Sequence, residues 1–145
     1  MPSYQSGGAF LPSGDYNPIG QWAFGPTAAA SIIRPDGTAS IQTTVTTTAV
    51  DGAIPIVSGI VRLTKGSAAA MTLAAPTAAQ EGTTITVTTG TAFAHVVTAT
   101  GLIQNGVTGG AKNAWTAAAF VGSSISLMAI NLQWYVQSQN LGAVA

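Results

Sequence analysis

Few side chains in this chain can do acid–base, nucleophilic or metal chemistry. His95 is the only histidine among 145 residues, and it sits in the stretch TAFAHVVTATGLIQNG among small, apolar and threonine residues. An imidazole in that setting would act as a general base only with an activated Ser or Thr beside it and an acid to orient it. Hydroxyl residues are abundant here, so a nearby Ser or Thr carries no information. No Gly-x-Ser-x-Gly elbow is present, and the four carboxylates Asp15, Asp36, Asp51 and Glu81 are scattered rather than paired. Two-carboxylate glycosidase chemistry therefore has no positive support.

Metal chemistry has less support still. With one histidine and no cysteine, one chain cannot assemble a typical zinc site, and three copies of His95 around a symmetry axis would be the only route to one. The glycine pairs at 7–8 and 109–110 match no phosphate-cradling motif. No cofactor is expected. Strand alternation puts Phe93, His95 and Val97 on one face and Ala94, Val96 and Thr98 on the other. The expectation is a partly buried histidine bonded to a backbone carbonyl.

The elements that would hold such a residue are strands. Thr- and Val-rich runs fill the chain from about residue 31, and these residues, stiff at χ1, favour a pleated sheet. In TTITVTT, Ile85 and Val87 alternate with Thr84, Thr86 and Thr88 at a period of two. SISLMAI and QWYVQS flank Asn131-Leu132, a two-residue connection suited to a tight antiparallel hairpin. Pro55 and Gly59 in AIPIVSGIVRLTK suggest an edge strand or a bulge. PTAAQEG allows one helical turn, and the glycine-bracketed KNAWTAAAFVG reads mostly as strand. Pro35-Asp36-Gly37 predicts a turn. The fold class is all-β: a sandwich, jelly roll or small barrel of eight to ten short strands with an extended N-terminal arm.

Residues 1–30 form the arm and 31–145 the β-rich domain. Pro2, Pro12, Pro18, Pro26 and repeated glycines disfavour ladders and helix interiors in the arm. Tyr4, Phe10, Tyr16, Trp22 and Phe24 are nonetheless half of the ten aromatic residues. The first four are six residues apart, roughly 20 Å per step if extended. Either the arm folds back on its own domain, or these rings are anchors set into pockets of neighbouring subunits. Trp115, Trp134 and Tyr135 are expected in core or intersubunit packing.

Charge narrows the partners. Only 6% of residues are charged and the net charge is zero, so little self-repulsion keeps copies apart. Arg34, Arg62, Lys65 and Lys112 are too dispersed to neutralise a phosphate backbone, which argues against nucleic acid. No run approaches the ~20 apolar residues of a spanning helix, and the opening residues carry no basic-then-apolar export signal. The expectation is a protein made in the cytoplasm of its producer and covered by protein partners.

Residues 60–142 resemble a module of small virion proteins of tailed bacteriophages, namely capsid decoration (cement) and head-fibre-like proteins. The module runs from an LTLAAP-type strand through D-G-x-x-I-x-I-T and A-H-T-V-T to L-x-A-x-N-G-x-W-Y-V. Its counterparts here are Met71 to Pro76, Glu81 to Val87, Ala94 to Thr98, and Leu127 to Val136. Two departures fall in turns: Glu81-Gly82 replaces Asp-Gly, and Asn131-Leu132 replaces Asn-Gly.

The resemblance implies a β-rich, non-enzymatic protein on the outer capsid surface of the virion, made in the host cytoplasm. Its partners would be the major capsid protein and itself, as a homotrimer or homodimer. In that setting Tyr4, Phe10, Tyr16, Trp22 and Phe24 would be the partner-binding arm anchors. The alternatives are a tail, baseplate or fibre component with a receptor-binding or assembly role, and a virion-associated hydrolase centred on His95.

Overall fold

The structure, a computed structural model, describes residues 43–106 and 110–145, with three short strands before them. The chain divides into two compact units, Met1–Thr44 and Val45–Ala145. In the first unit β1 (Trp22–Phe24), β2 (Ser31–Ile33) and β3 (Ala39–Ser40) pair antiparallel in that order. β1 thus lies in the stretch read as arm, and β2 and β3 in the stretch read as domain. Tyr4, Phe10, Tyr16 and the Pro35–Gly37 turn lie outside the described residues, while Trp22 and Phe24 stand on β1 opposite Ile33 and Ser31.

The second unit is a curled mixed sheet that makes a half-barrel. Its strands are β4 (Val45–Thr48), β5 (Gly52–Ala53), β6 (Gly59–Leu63), β7 (Ala70–Thr72), β8 (Thr84–Thr89), β9 (Val96–Gln104), β10 (Lys112–Ala117), β11 (Ser124–Ile130), β12 (Gln133–Asn140) and β13 (Gly142–Val144). The only helical turn among the described residues of this unit is a single 3-10 turn at Ala78–Gln80. Gln80 Oε1 holds its start by accepting the Thr77 N–H at 2.8 Å. No described helix is long and apolar enough to cross a membrane.

The first six strands wind as a coil. β4, β6 and β8 stack in parallel, and β5, β7 and β9 stack in parallel, with the chain passing between stacks at each half turn. Parallel neighbours need a crossover, and here each crossover is a strand of the other stack. The rest of the chain pairs antiparallel on both stacks, β11 and β12 on β8, β10 and β13 on β9. β12 then meets β9 in parallel at Trp134↔Ile103 and Tyr135↔Gln104, joining the two stacks. Between the two halves of β9, Gly101 takes φ +68° and its N–H is bonded by Asn113 Oδ1, where the β9–β10 register slips. A bulge with a left-handed glycine bends the strand that belongs to both stacks.

Alternation fills the interior. Val61, Val87 and Ile125 line up across β6, β8 and β11, and Met71, Val97 and Trp115 across β7, β9 and β10. Thr84, Thr86 and Thr88 point outward, as expected, with Thr86 Oγ1 bonded to Ser126 Oγ at 3.1 Å. Trp134 is fully buried and donates its indole N–H to the Ala74 carbonyl at 2.9 Å, while Tyr135 is half-buried. One expectation is corrected. β6 is neither an edge nor bulged; it lies between β4 and β8, while Pro55 sits in the 54–58 connection and so removes no ladder bond.

The β11–β12 hairpin forms as expected, with Asn131 at φ +50° and Leu132 at φ +61°. Positive φ at both positions defines a type I′ turn, which normally takes Asn-Gly. The other unusual turn answers it: the Glu81 carboxylate accepts the Asn131 N–H at 3.0 and 3.1 Å, and Gly82 donates to the Ala129 carbonyl. The two positions that depart from the module are therefore in contact. Leu132 is half exposed and loses little packing if trimmed. Leu132→Gly is expected to raise stability by about 0.5–1 kcal/mol by relieving left-handed strain, less the glycine's unfolded-state entropy. A higher urea midpoint at unchanged slope would show it.

Candidate functional site

His95 lies at one end of the half-barrel, just before β9 rather than within it, and is fully buried. Three turns converge there: 64–69 between β6 and β7, 90–95 between β8 and β9, and 118–123 between β10 and β11. Val96 donates its N–H to the Ala69 carbonyl, Ala117 donates to the His95 carbonyl, and Gly90 donates to the Leu63 carbonyl. These bonds bring residues far apart in sequence around one imidazole.

The ring is satisfied at both nitrogens. Nδ1 accepts the Ala69 backbone N–H at 2.9 Å. An amide can only donate, so Nδ1 is bare and the proton of the neutral ring sits on Nε2. Nε2 lies 2.9 Å from Thr91 Oγ1, and Thr91 in turn donates its hydroxyl to the Lys65 carbonyl at 2.8 Å. The chain of donors runs one way, from imidazole to Thr91 to Lys65. This corrects the sequence expectation: the histidine accepts from a backbone N–H instead of donating to a carbonyl. Phe93 is also corrected, since it is partly exposed outside the core and meets the imidazole edge-on, with centroids 6.4 Å apart.

Thr91 and His95 superficially resemble a nucleophile and its base. The tautomer forbids that use, because the nitrogen facing the hydroxyl already carries a proton. Burial, and then the nearby Lys65 ammonium, hold the imidazole below its usual 6.5 and so favour the neutral ring. Lys65 itself pairs with Asp51 at 2.7 Å. Asp51 also accepts the Ala70 N–H at 2.8 Å, and the Lys65 hydrogen bond, followed by that of Ala70, lowers its pKa from 3.8. Ala69 and Ala70, consecutive amides, are thus pinned by His95 and Asp51. The constellation staples three turns together.

Among the described residues no group of three or more His, Cys, Asp or Glu side chains could hold a metal ion. What the same end does present to solvent is apolar: Phe93, Phe120, Val121 and Leu141 are all exposed. Their turns are joined by hydrogen bonds from Thr89 Oγ1 to the Phe120 carbonyl, from the buried Ser123 hydroxyl to the Leu141 carbonyl, and from Asn140 Nδ2 to the Gly122 carbonyl. Sequence reasoning missed this surface because AAFVG reads as the end of a strand, whereas β10 stops at Ala117 and the two large residues fall in a turn.

The arm anchors cannot be joined to this end, since Tyr4, Phe10 and Tyr16 lie outside the described residues and Trp22 and Phe24 belong to the first unit. No family model matches the chain, and no curated protein matches it.

Proposed function

We propose that this chain is a structural virion protein that binds the outer surface of an assembled phage capsid and strengthens contacts between capsomers. The observation that carries the proposal is the order of four sequence elements across residues 60–142, from Met71–Pro76 to Leu127–Val136. A charge-poor chain and an exposed apolar end are in keeping with a surface that is covered in use. A protein that binds only the assembled shell stabilises it by linkage, and many copies engage without any one contact being tight. In this reading Tyr4, Phe10, Tyr16, Trp22 and Phe24 grip neighbouring capsid subunits.

Deleting residues 2–25 tests the reading. The truncated chain is expected to keep the thermal transition of the half-barrel but to stop saturating capsids stripped of the protein. Full occupancy by the truncated chain would remove the arm's role. Electron microscopy of virions decides the wider claim: copies spread over the head lattice support it, and copies confined to the tail reject it in favour of a tail or fibre component.

A further inference from the structure

The coil has one open end. Among the described residues β4 pairs only with β6, and β5 only with β7, so the first turn presents strand edges with no further neighbour. At the other end the stacks are joined, because β12 is bonded to β11 on one side and to β9 on the other. The open turn is also where apolar side chains are most exposed: Val45, Val50 and Val57 are each more than half accessible.

Soluble proteins normally guard a free edge with lysine, proline, a bulge or an inward charge. β4 reads Val-Thr-Thr-Thr and β5 Gly-Ala, with none of these devices. The one charge between them, Asp51, is committed to Lys65 and the Ala70 amide. An unguarded, uncharged edge next to exposed valines is suited to receive a strand of the same kind.

We propose that the occupant is a second copy of this chain, joined β4 to β4, antiparallel, about a two-fold axis. Two features of the fold favour this over head-to-tail stacking. The other end of the coil is closed by β12, and the remaining described edge, β13, is only three residues long. A contact using the same edge twice is self-complementary and stops at two copies, whereas β4 on β13 would propagate. With a net charge of zero, no long-range repulsion opposes the approach. The inference rests on the open end of the coil alone and stands or falls separately from the capsid reading.

The test is the mass of the full chain in solution, by sedimentation or light scattering over a wide concentration range, with amide exchange along β4. Twice the chain mass is expected, with Val45–Thr48 amides that exchange more slowly as concentration rises. Val45 and Thr47 are exposed, so Val45→Lys with Thr47→Lys should leave the thermal transition in place and halve the mass. A wild-type monomer, a trimer, or a dimer that survives the two lysines would overturn the proposal. Amides of β4 protected equally at all concentrations would also overturn it, by showing that the chain covers its own edge.

Discussion

Replacing Gly142 with alanine is expected to destabilise the half-barrel by about 4 kcal/mol, combining backbone strain with overpacking. Gly142 opens β13 at φ +130°, a conformation that side chains rarely adopt. A Cβ there would stand 2.6 Å from Trp115 Nε1 and 2.8 Å from the Thr116 carbonyl oxygen. Neither neighbour yields easily: one is backbone within the β10–β13 ladder, the other a fully buried indole. Gly106→Ala separates the two causes, since Gly106 is also left-handed, at φ +73°, but has open space around it. It should cost only the conformational part, about 1–2 kcal/mol.

The same contact explains an unusual feature of the core. Trp115 Nε1 is buried with no hydrogen-bond partner, and the glycine's bare Cα lies against it. An orphaned donor costs about 1–3 kcal/mol. Trp115→Phe removes the donor along with part of the ring, so Gly142→Ala should cost measurably less in that background. Urea unfolding of the two single variants and the double variant gives the coupling, and strict additivity would exclude the proposed clash.

His95→Ala is expected to cost about 4 kcal/mol, from a core cavity plus an unpaired Ala69 amide. His95→Gln should recover part of that loss, because its amide oxygen can accept from Ala69 while its NH2 donates to Thr91. The more diagnostic difference is in pH dependence. The chain has one imidazole, and burial followed by Lys65 lowers its pKa below 6.5 in the folded state. Between 6.5 and that lowered value the unfolded chain binds more protons, so stability falls as pH falls through this window and levels off below it. Above 6.5 the contribution is fully present.

The glutamine variant should be flat across the window. Its remaining acid loss belongs to groups such as Asp51, whose lowered pKa gives stability that is present above 3.8 and lost as pH falls through the folded value. Thermal midpoints of wild type and His95→Gln from neutral pH downward compare the two directly. Parallel curves would mean that protonation of His95 is not coupled to folding.

The local grammar of the sequence determined much of this structure. Alternation in TTITVTT identified Ile85 and Val87 as core, because successive side chains of a strand face opposite ways in any sheet. Asn131-Leu132 marked the hairpin, and the scarcity of ionisable groups already reduced the chemistry to His95. A period of two is the same in parallel and antiparallel sheets, however, so nothing local distinguished a coil of parallel strands from a run of hairpins. The choice of β6 and β8 as neighbours, with β7 in the other stack, is made by long-range burial.

The same limit applied to the histidine. Its isolation was legible, but its proton was placed by an amide 26 residues away and by a threonine that composition made indistinguishable from many others. Only the tertiary structure decided that the imidazole accepts at Nδ1 and donates at Nε2, because a tautomer is set by the groups that surround the ring.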